Sequence, residues 1–235
     1  IIYVADFLAK RYRIKTFKRD LLFPAFLVML GFGLILLQPD FGSGMVMVCS
    51  IVVMVLAADS PLSYFVRVGM LGAAGLGGLI ISAPYRLARI TSFIDPWKDP
   101  LGAGFQIIQS LFAISPGGIL GVGFDNSMQK HFYLPEPQTD FIFAIFAEEF
   151  GFIGCCILIT LFLMVIYQGV KIAKNSSDPY LCYVAIGLIS LFAIQVMINL
   201  GVVVGLFPVT GITLPFISYG GSSLVVMMGS MGLLM

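Results

Sequence analysis

Charge is scarce in this chain: Asp, Glu, Lys and Arg make up 11% of its 235 residues, against 59% hydrophobic residues and a mean hydropathy of +1.03. A soluble domain carries about a quarter charged residues, so a water-soluble globule is excluded. Basic excess is also missing, since 13 Lys and Arg face 12 Asp and Glu, which removes the electrostatic footprint of a nucleic-acid partner. One histidine, His131, stands alone, which argues against a histidine-based metal site. The four cysteines, Cys49, Cys155, Cys156 and Cys182, sit inside apolar runs and read as packed small hydrophobes, not as a disulfide scaffold. Neither GxxxxGK[ST] nor GxSxG occurs, so a nucleotide-binding P-loop and a hydrolase nucleophile elbow have no support.

What fills the chain is apolar sequence in long uninterrupted runs. Six are candidates for membrane-crossing helices: about 21–37, 43–58, 63–83, 141–170, 181–207 and 218–235. Barrel strands alternate apolar and polar positions; these runs do not. The expected fold is all-α, a polytopic transmembrane helical bundle forming one membrane domain over 1–235. Residues 1–9 read as the end of a further helix, so the chain is expected to be part of a longer membrane protein.

Positive residues in short loops mark the cytoplasmic side. Lys10, Arg11, Arg13, Lys15, Lys18 and Arg19 crowd one connection, which is read as cytoplasmic; a patch for lipid headgroups or a partner is the alternative. Counting crossings from there puts about 84–139 outside. A connection of about 55 residues is long enough to be functional and partly structured. Within it, 104–114 has helical periodicity, with Phe105, Ile108, Leu111 and Phe112 on one face and Gln106, Gln109 and Ser110 largely on another. Such a helix can lie at the membrane surface or close the outer end of the bundle.

Charges at membrane depth need a partner, a wet cavity or a function. On a continuous helix Asp140, Ala144, Ala147, Gly151 and Gly154 share a face of small residues, which points Asp140 into the bundle near its outer mouth. Glu148 and Glu149 fall about 80° and 180° from that face and ~12–14 Å deeper. They read as buried partners for groups on other helices, or as catalytic groups. Arg86, Arg89, Lys98 and Lys130 are cations on the same outer side, and Arg86 and Arg89, three apart, can either reach one phosphate or anchor the interface. Gly117, Gly118, Gly121 and Gly123 read as turn formers, or as an anion nest. Ser222 and Ser223 read as helix caps, and Gln195 and Asn199 as interhelical hydrogen-bonding groups. The turn at 38–42 is read as a helix break.

The stretch FIDPWKDPLGAGFQIIQSLFAISPGGILGVGFDNSMQKHFYLPEPQTDFIFAIFAEEFGFIG resembles the SEDS family (shape, elongation, division and sporulation), and its FtsW/SpoVE branch more than RodA. QPDFGSG at 38–44, PYRLARI at 84–90 and LPFISYGGSS at 214–223 resemble further family motifs, so the likeness covers essentially the whole chain. The resemblance implies a multi-pass protein of the bacterial cytoplasmic membrane with ten transmembrane helices. It implies a peptidoglycan glycosyltransferase that polymerises lipid II, the undecaprenyl-pyrophosphate-linked disaccharide pentapeptide, in division or sporulation. Implied partners are a class B penicillin-binding protein and membrane lipids. The family's essential aspartate, in its TDFIF motif, falls on Asp140, expected to act as the general base. Arg86, Arg89, Lys98 and Lys130 are expected to bind substrate, with Glu136, Glu148, Glu149 and Ser222 in supporting roles. No cofactor is required by this reading, although Mg2+ or Mn2+ bridging Asp140 and pyrophosphate is compatible with hard oxygen ligands. About four family helices are absent here, so the fragment alone is not expected to be active. A lipid II flippase and a non-catalytic scaffold for a penicillin-binding protein are the alternative functions.

Overall fold

The computed structural model describes residues 1–10, 22–38, 40–58, 92–102, 104–127 and 138–235. Every regular element among them is helical: α1 (Ile2–Ala9), α2 (Leu22–Leu37), α3 (Phe41–Ala57), a 3-10 turn (Pro96–Lys98), α4 (Phe105–Gly117), α5 (Ile142–Asn175), α6 (Pro179–Val203) and α7 (Gly221–Leu234). The expected segment at 63–83 lies outside the described residues.

Helix ends follow from local chemistry. Asp40 caps α3 by accepting from the Ser43 N–H at 3.0 Å, so the Gln-Pro-Asp break is also a start signal. At α6, Pro179 occupies the first helical position, where its missing N–H is harmless, and Asp178 accepts from the Tyr180 N–H at 3.0 Å. The same helix stops at Gly205, whose φ of +74° lets Leu206 N–H reach back to Gly201 O at 2.7 Å and Gly205 N–H to Val202 O at 3.0 Å.

Among the described residues, two helices are long and apolar enough to span a bilayer. The most apolar windows of α5 and α6 have mean hydropathies of 2.6 and 2.4, and the 25 residues of α6 extend about 38 Å at 1.5 Å per residue, against a hydrocarbon core of roughly 30 Å. Only 17% of the α5 window is buried. A soluble protein's core helix would be covered, whereas Phe152, Ile157, Leu161, Leu163 and Met164 are all more than half exposed. Lipid is the solvent that accommodates this surface. The fold is thus a helical membrane protein.

The chain divides into two compact units: Ile1–Leu76, Met164–Ile194 and Val225–Met235 form one, Gly77–Leu163 and Gln195–Leu224 the other. In the first, Val4, Ala5 and Leu8 of α1 pack with Met54 and Val55 of α3 and Val184 and Leu188 of α6. Gly187 permits that approach, because a Cβ there would stand 2.6 Å from the Met54 sulfur. Ser190 Oγ lies within donor reach of Gly187 O at 3.0 Å and Ser50 O at 3.4 Å, so the polar atoms of this apolar core have partners.

In the second unit, α4 corrects the expected facing of 104–114. Its buried positions are Ile107, Ile108, Ser110 and Ala113, while Leu111 and Phe112 are exposed. The reason is that Ser110 Oγ donates to Val203 O at 2.8 Å, satisfying a carbonyl left open at the end of α6. Phe112 instead meets Trp97 edge-on, with ring centroids 5.9 Å apart.

Candidate active site

The second unit contains two unusual backbone arrangements. The first is a break in α5. Gly151 has φ +62° and ψ −163°, which no helix admits. In an unbroken helix, Phe152 and Ile153 would donate to the carbonyls of Glu148 and Glu149. Here Phe152 N–H donates to Gly118 O (2.9 Å) and Ile153 N–H to Ile119 O (3.2 Å), while Glu148 O accepts from Val122 N–H (3.0 Å) and Glu149 O from Gly123 N–H (3.1 Å). The segment 118–123 therefore takes over both missing helical bonds. Membrane proteins tolerate a broken helix only where other protein groups re-satisfy the freed backbone.

That threading explains the glycines. A Cβ on Gly121 would collide with the Glu149 carbonyl, one on Gly117 with the Ala147 carbonyl, and one on Gly151 with the Gly121 nitrogen. Gly121 also has φ +81°. These glycines are contact residues, not merely turn formers.

The second arrangement surrounds Asp140. The aspartate lies in the turn preceding α5, partly exposed. This differs from the small-residue stripe read across 140–154: α5 begins at Ile142 and breaks at Gly151, so the stripe does not run on one regular helix. Three successive carbonyls are each held. Gln138 O accepts from Tyr219 N–H at 2.8 Å, Thr139 O from Ser218 Oγ at 2.6 Å, and Asp140 O from Asn199 Nδ2 at 2.9 Å. Asn199, 1% exposed, donates also to Ile212 O at 2.6 Å.

The segment supplying these contacts is itself tied down. Gln195 Nε2 donates to Thr213 O at 3.0 Å, Thr213 Oγ1 and Ser223 Oγ are 3.0 Å apart, and Ser218 Oγ accepts from Leu214 N–H at 2.7 Å. Phe216 holds φ +65°, a left-handed conformation costing a bulky residue about 1–3 kcal/mol. It is the bend after which Ser218 folds back. Gly211, at φ +74°, passes beside the carboxylate: a Cβ there would stand 3.6 Å from Asp140 Oδ2.

The remaining predicted residues distribute as follows. Glu148 is 2% exposed and its Oε2 accepts from Ser127 Oγ at 2.5 Å, so a described partner is a loop serine and not a group on another helix. Glu149 is 6% exposed and its Oε1 has no hydrogen-bond partner among the described residues. Lys98 is exposed and 3.5 Å from Asp95. Ser222 is exposed, and Ser223 makes the side-chain bond at the start of α7. Arg86, Arg89, Lys130, His131 and Glu136 lie outside the described residues. Among those described, no three His, Cys, Asp or Glu cluster where they could hold a metal ion. Sequence reasoning missed Ser127, Gly211, Ser218 and Tyr219, and gave Asn199 only a generic role.

Residues 1–235 match the FtsW/RodA/SpoVE family model, described as a cell cycle protein. Stage V sporulation protein E of Bacillus subtilis is 52% identical, aligning with 100% of this chain and 64% of its own length. The probable peptidoglycan glycosyltransferase FtsW of Thioalkalivibrio sp. is 45% identical, over 100% of this chain and 60% of its own. A chain solved in work on the coordination of polymerization and crosslinking by a peptidoglycan synthase complex is similar with TM-score 0.77 and 33% identity, covering 98% of this chain and 64% of that one. The rod shape determining protein RodA of Thermus thermophilus has TM-score 0.64 at 28% identity, covering 99% and 61%. The chain thus spans about three fifths of the length of these relatives.

Proposed function

The chain belongs to the FtsW/RodA/SpoVE family of cell cycle proteins, and from that membership we propose that the full-length protein is a peptidoglycan glycosyltransferase of the bacterial cytoplasmic membrane. It polymerises lipid II at the outer leaflet together with a class B penicillin-binding protein. The observation that carries the reading is the partly exposed Asp140 on a backbone fixed at three consecutive carbonyls. A general base needs both access to its proton donor and a fixed position.

In the proposed step, Asp140 accepts the proton of the GlcNAc 4-hydroxyl of the acceptor lipid II. The freed oxygen forms a bond to the anomeric carbon of the donor's MurNAc, and the bond from that carbon to the pyrophosphate oxygen breaks. Undecaprenyl pyrophosphate departs with the electron pair, and the anomeric configuration inverts. Charge growing on the leaving group calls for nearby cations; Arg86, Arg89, Lys98 and Lys130 are proposed on sequence grounds. Glu136, Glu148, Glu149 and Ser222 are proposed as supporting residues. Gly211 borders the same carboxylate, since a Cβ there would stand 3.6 Å from Oδ2, at ordinary van der Waals contact.

The test is polymer formation from purified lipid II by the full-length protein in detergent. Wild type should yield glycan strands, and Asp140→Asn should lose about 10²- to 10⁴-fold in rate. Polymerisation by Asp140→Asn at the wild-type rate would remove the base. Movement of lipid II across liposomes without any polymer would make the protein a transporter instead.

A further inference from the structure

We propose that Asn199 and Ser218 are positioning residues for Asp140, acting through its backbone and not through the substrate. The proposal rests on the reading of Asp140 as the base.

The geometry separates this role from ordinary packing. A side-chain amide in a membrane helix ordinarily serves to hydrogen-bond across to another helix. Asn199 instead spends both Nδ2 hydrogens on main-chain carbonyls of two different segments, Asp140 O at 2.9 Å and Ile212 O at 2.6 Å. It thereby fixes the distance between the aspartate's peptide and the segment carrying Gly211. Ser218 does the same one residue earlier, donating to Thr139 O at 2.6 Å while accepting from Leu214 N–H at 2.7 Å. Each side chain is a two-ended strut between the 138–140 turn and the 212–218 segment.

Asp140 has two side-chain torsions, so its carboxylate position follows its Cα closely. Peptide planes on either side that are held leave that Cα little freedom. With Asn199 buried, no water can replace its two donated bonds without rearrangement. A base displaced by about 1 Å costs on the order of 100-fold in rate, although substrate binding through other groups is untouched. The effect belongs in kcat.

The experiment measures kcat and KM for lipid II polymerisation by full-length protein, with rates expressed per folded molecule from monodisperse, thermally characterised samples. Asn199→Ala should lower kcat about 10- to 100-fold and leave KM unchanged. Ser218→Ala should lower kcat less, and Ser218→Thr, which keeps the hydroxyl, should restore it. This serine pair decides the matter even if Asn199→Ala fails to fold. Wild-type kcat in both alanine variants, a loss confined to KM, or Ser218→Thr as impaired as Ser218→Ala would each overturn the proposal. Asp140→Asn run alongside separates the layers. If it polymerises normally, the base assignment is wrong; if it is inactive while Asn199→Ala and Ser218→Ala are normal, only the struts are wrong.

Discussion

Alanine at Gly121 should unfasten the break in α5. Its Cβ would collide with the backbone carbonyl of Glu149, which cannot swing aside as a flexible side chain could, and its φ of +81° is one an L residue resists. The conformational term costs about 1–2 kcal/mol. Relieving the collision separates 121–123 from 148–149, so the 3.0 and 3.1 Å bonds to Glu148 O and Glu149 O go with it. Buried groups left unpaired cost about 1–3 kcal/mol each, giving a total of about 3–8 kcal/mol. That rivals the whole stability of an ordinary domain, about 5–15 kcal/mol.

The controls lie in the same chain. Gly118 has φ +49° but open space where its Cβ would be, so Gly118→Ala should carry only the conformational cost. Gly33 sits inside α2 with nothing within 4 Å, and Gly33→Ala should be neutral or stabilising by roughly 0.5–1 kcal/mol. Thermal inactivation of the detergent-solubilised protein, followed by loss of the monodisperse species, should rank Gly33→Ala first, then wild type, Gly118→Ala, and Gly121→Ala well below. Because unfolding of membrane proteins is commonly irreversible, rates at fixed temperature are the quantity to compare. If Gly121→Ala inactivates no faster than Gly118→Ala, segment 118–123 does not carry the hydrogen bonds of the break.

Two further perturbations test other parts of the fold. Ser127→Ala removes a donor from the 2% exposed carboxyl of Glu148; it should destabilise by about 1–3 kcal/mol, and an unchanged inactivation rate would deny the bond any weight. Leu161→Arg places a cation on a 54% exposed position of α5, which should cost about 2.5–3.5 kcal/mol of membrane insertion and reduce the alkali-resistant membrane fraction, whereas normal insertion would mean that this face does not meet lipid.

The class of the fold was legible because continuous apolar runs and an 11% charged fraction leave few alternatives to a helical membrane protein. Asp140 stood out through its motif and its position ahead of an apolar run. What holds it was not legible. Asn199 donates to its own carbonyl and Ser218 to that of Thr139 before it, and the bonds span 59 and 79 residues. They end on main-chain carbonyls, which every residue has and no sequence pattern marks. The break at Gly151 was hidden for a related reason: helical-wheel arithmetic assumes an uninterrupted 100° step, and it made Gly151 one small residue in a stripe. Gly117, Gly121 and Gly151 together carried the signal, but reading it required knowing that the two segments meet. Ser110 misled in the opposite sense, since a hydroxyl that satisfies the open carbonyl of Val203 is buried in preference to Leu111.

The position of the break follows from what α5 must do on each side of it. Before Gly151, Phe143, Ala144, Ile145, Ala147, Glu148 and Glu149 are all buried in protein; after it, Phe152, Ile153, Cys156, Ile157 and most of the following residues are exposed. A single straight helix would carry both carboxyl groups on the same rod as the lipid-facing residues. Interrupting it at Gly151 leaves 24 residues, 152–175, about 36 Å long and sufficient to cross the hydrocarbon core. The preceding turns, with Glu148 and Glu149, are held by segment 118–123 through two backbone bonds, and two more join that segment to Phe152 and Ile153 beyond the break. Asp140 is joined to this shorter piece. Its backbone is therefore tied inside the second unit, by Asn199 at its own carbonyl and by Ser218 at the carbonyl of Thr139, while segment 118–123 holds the turns that follow it.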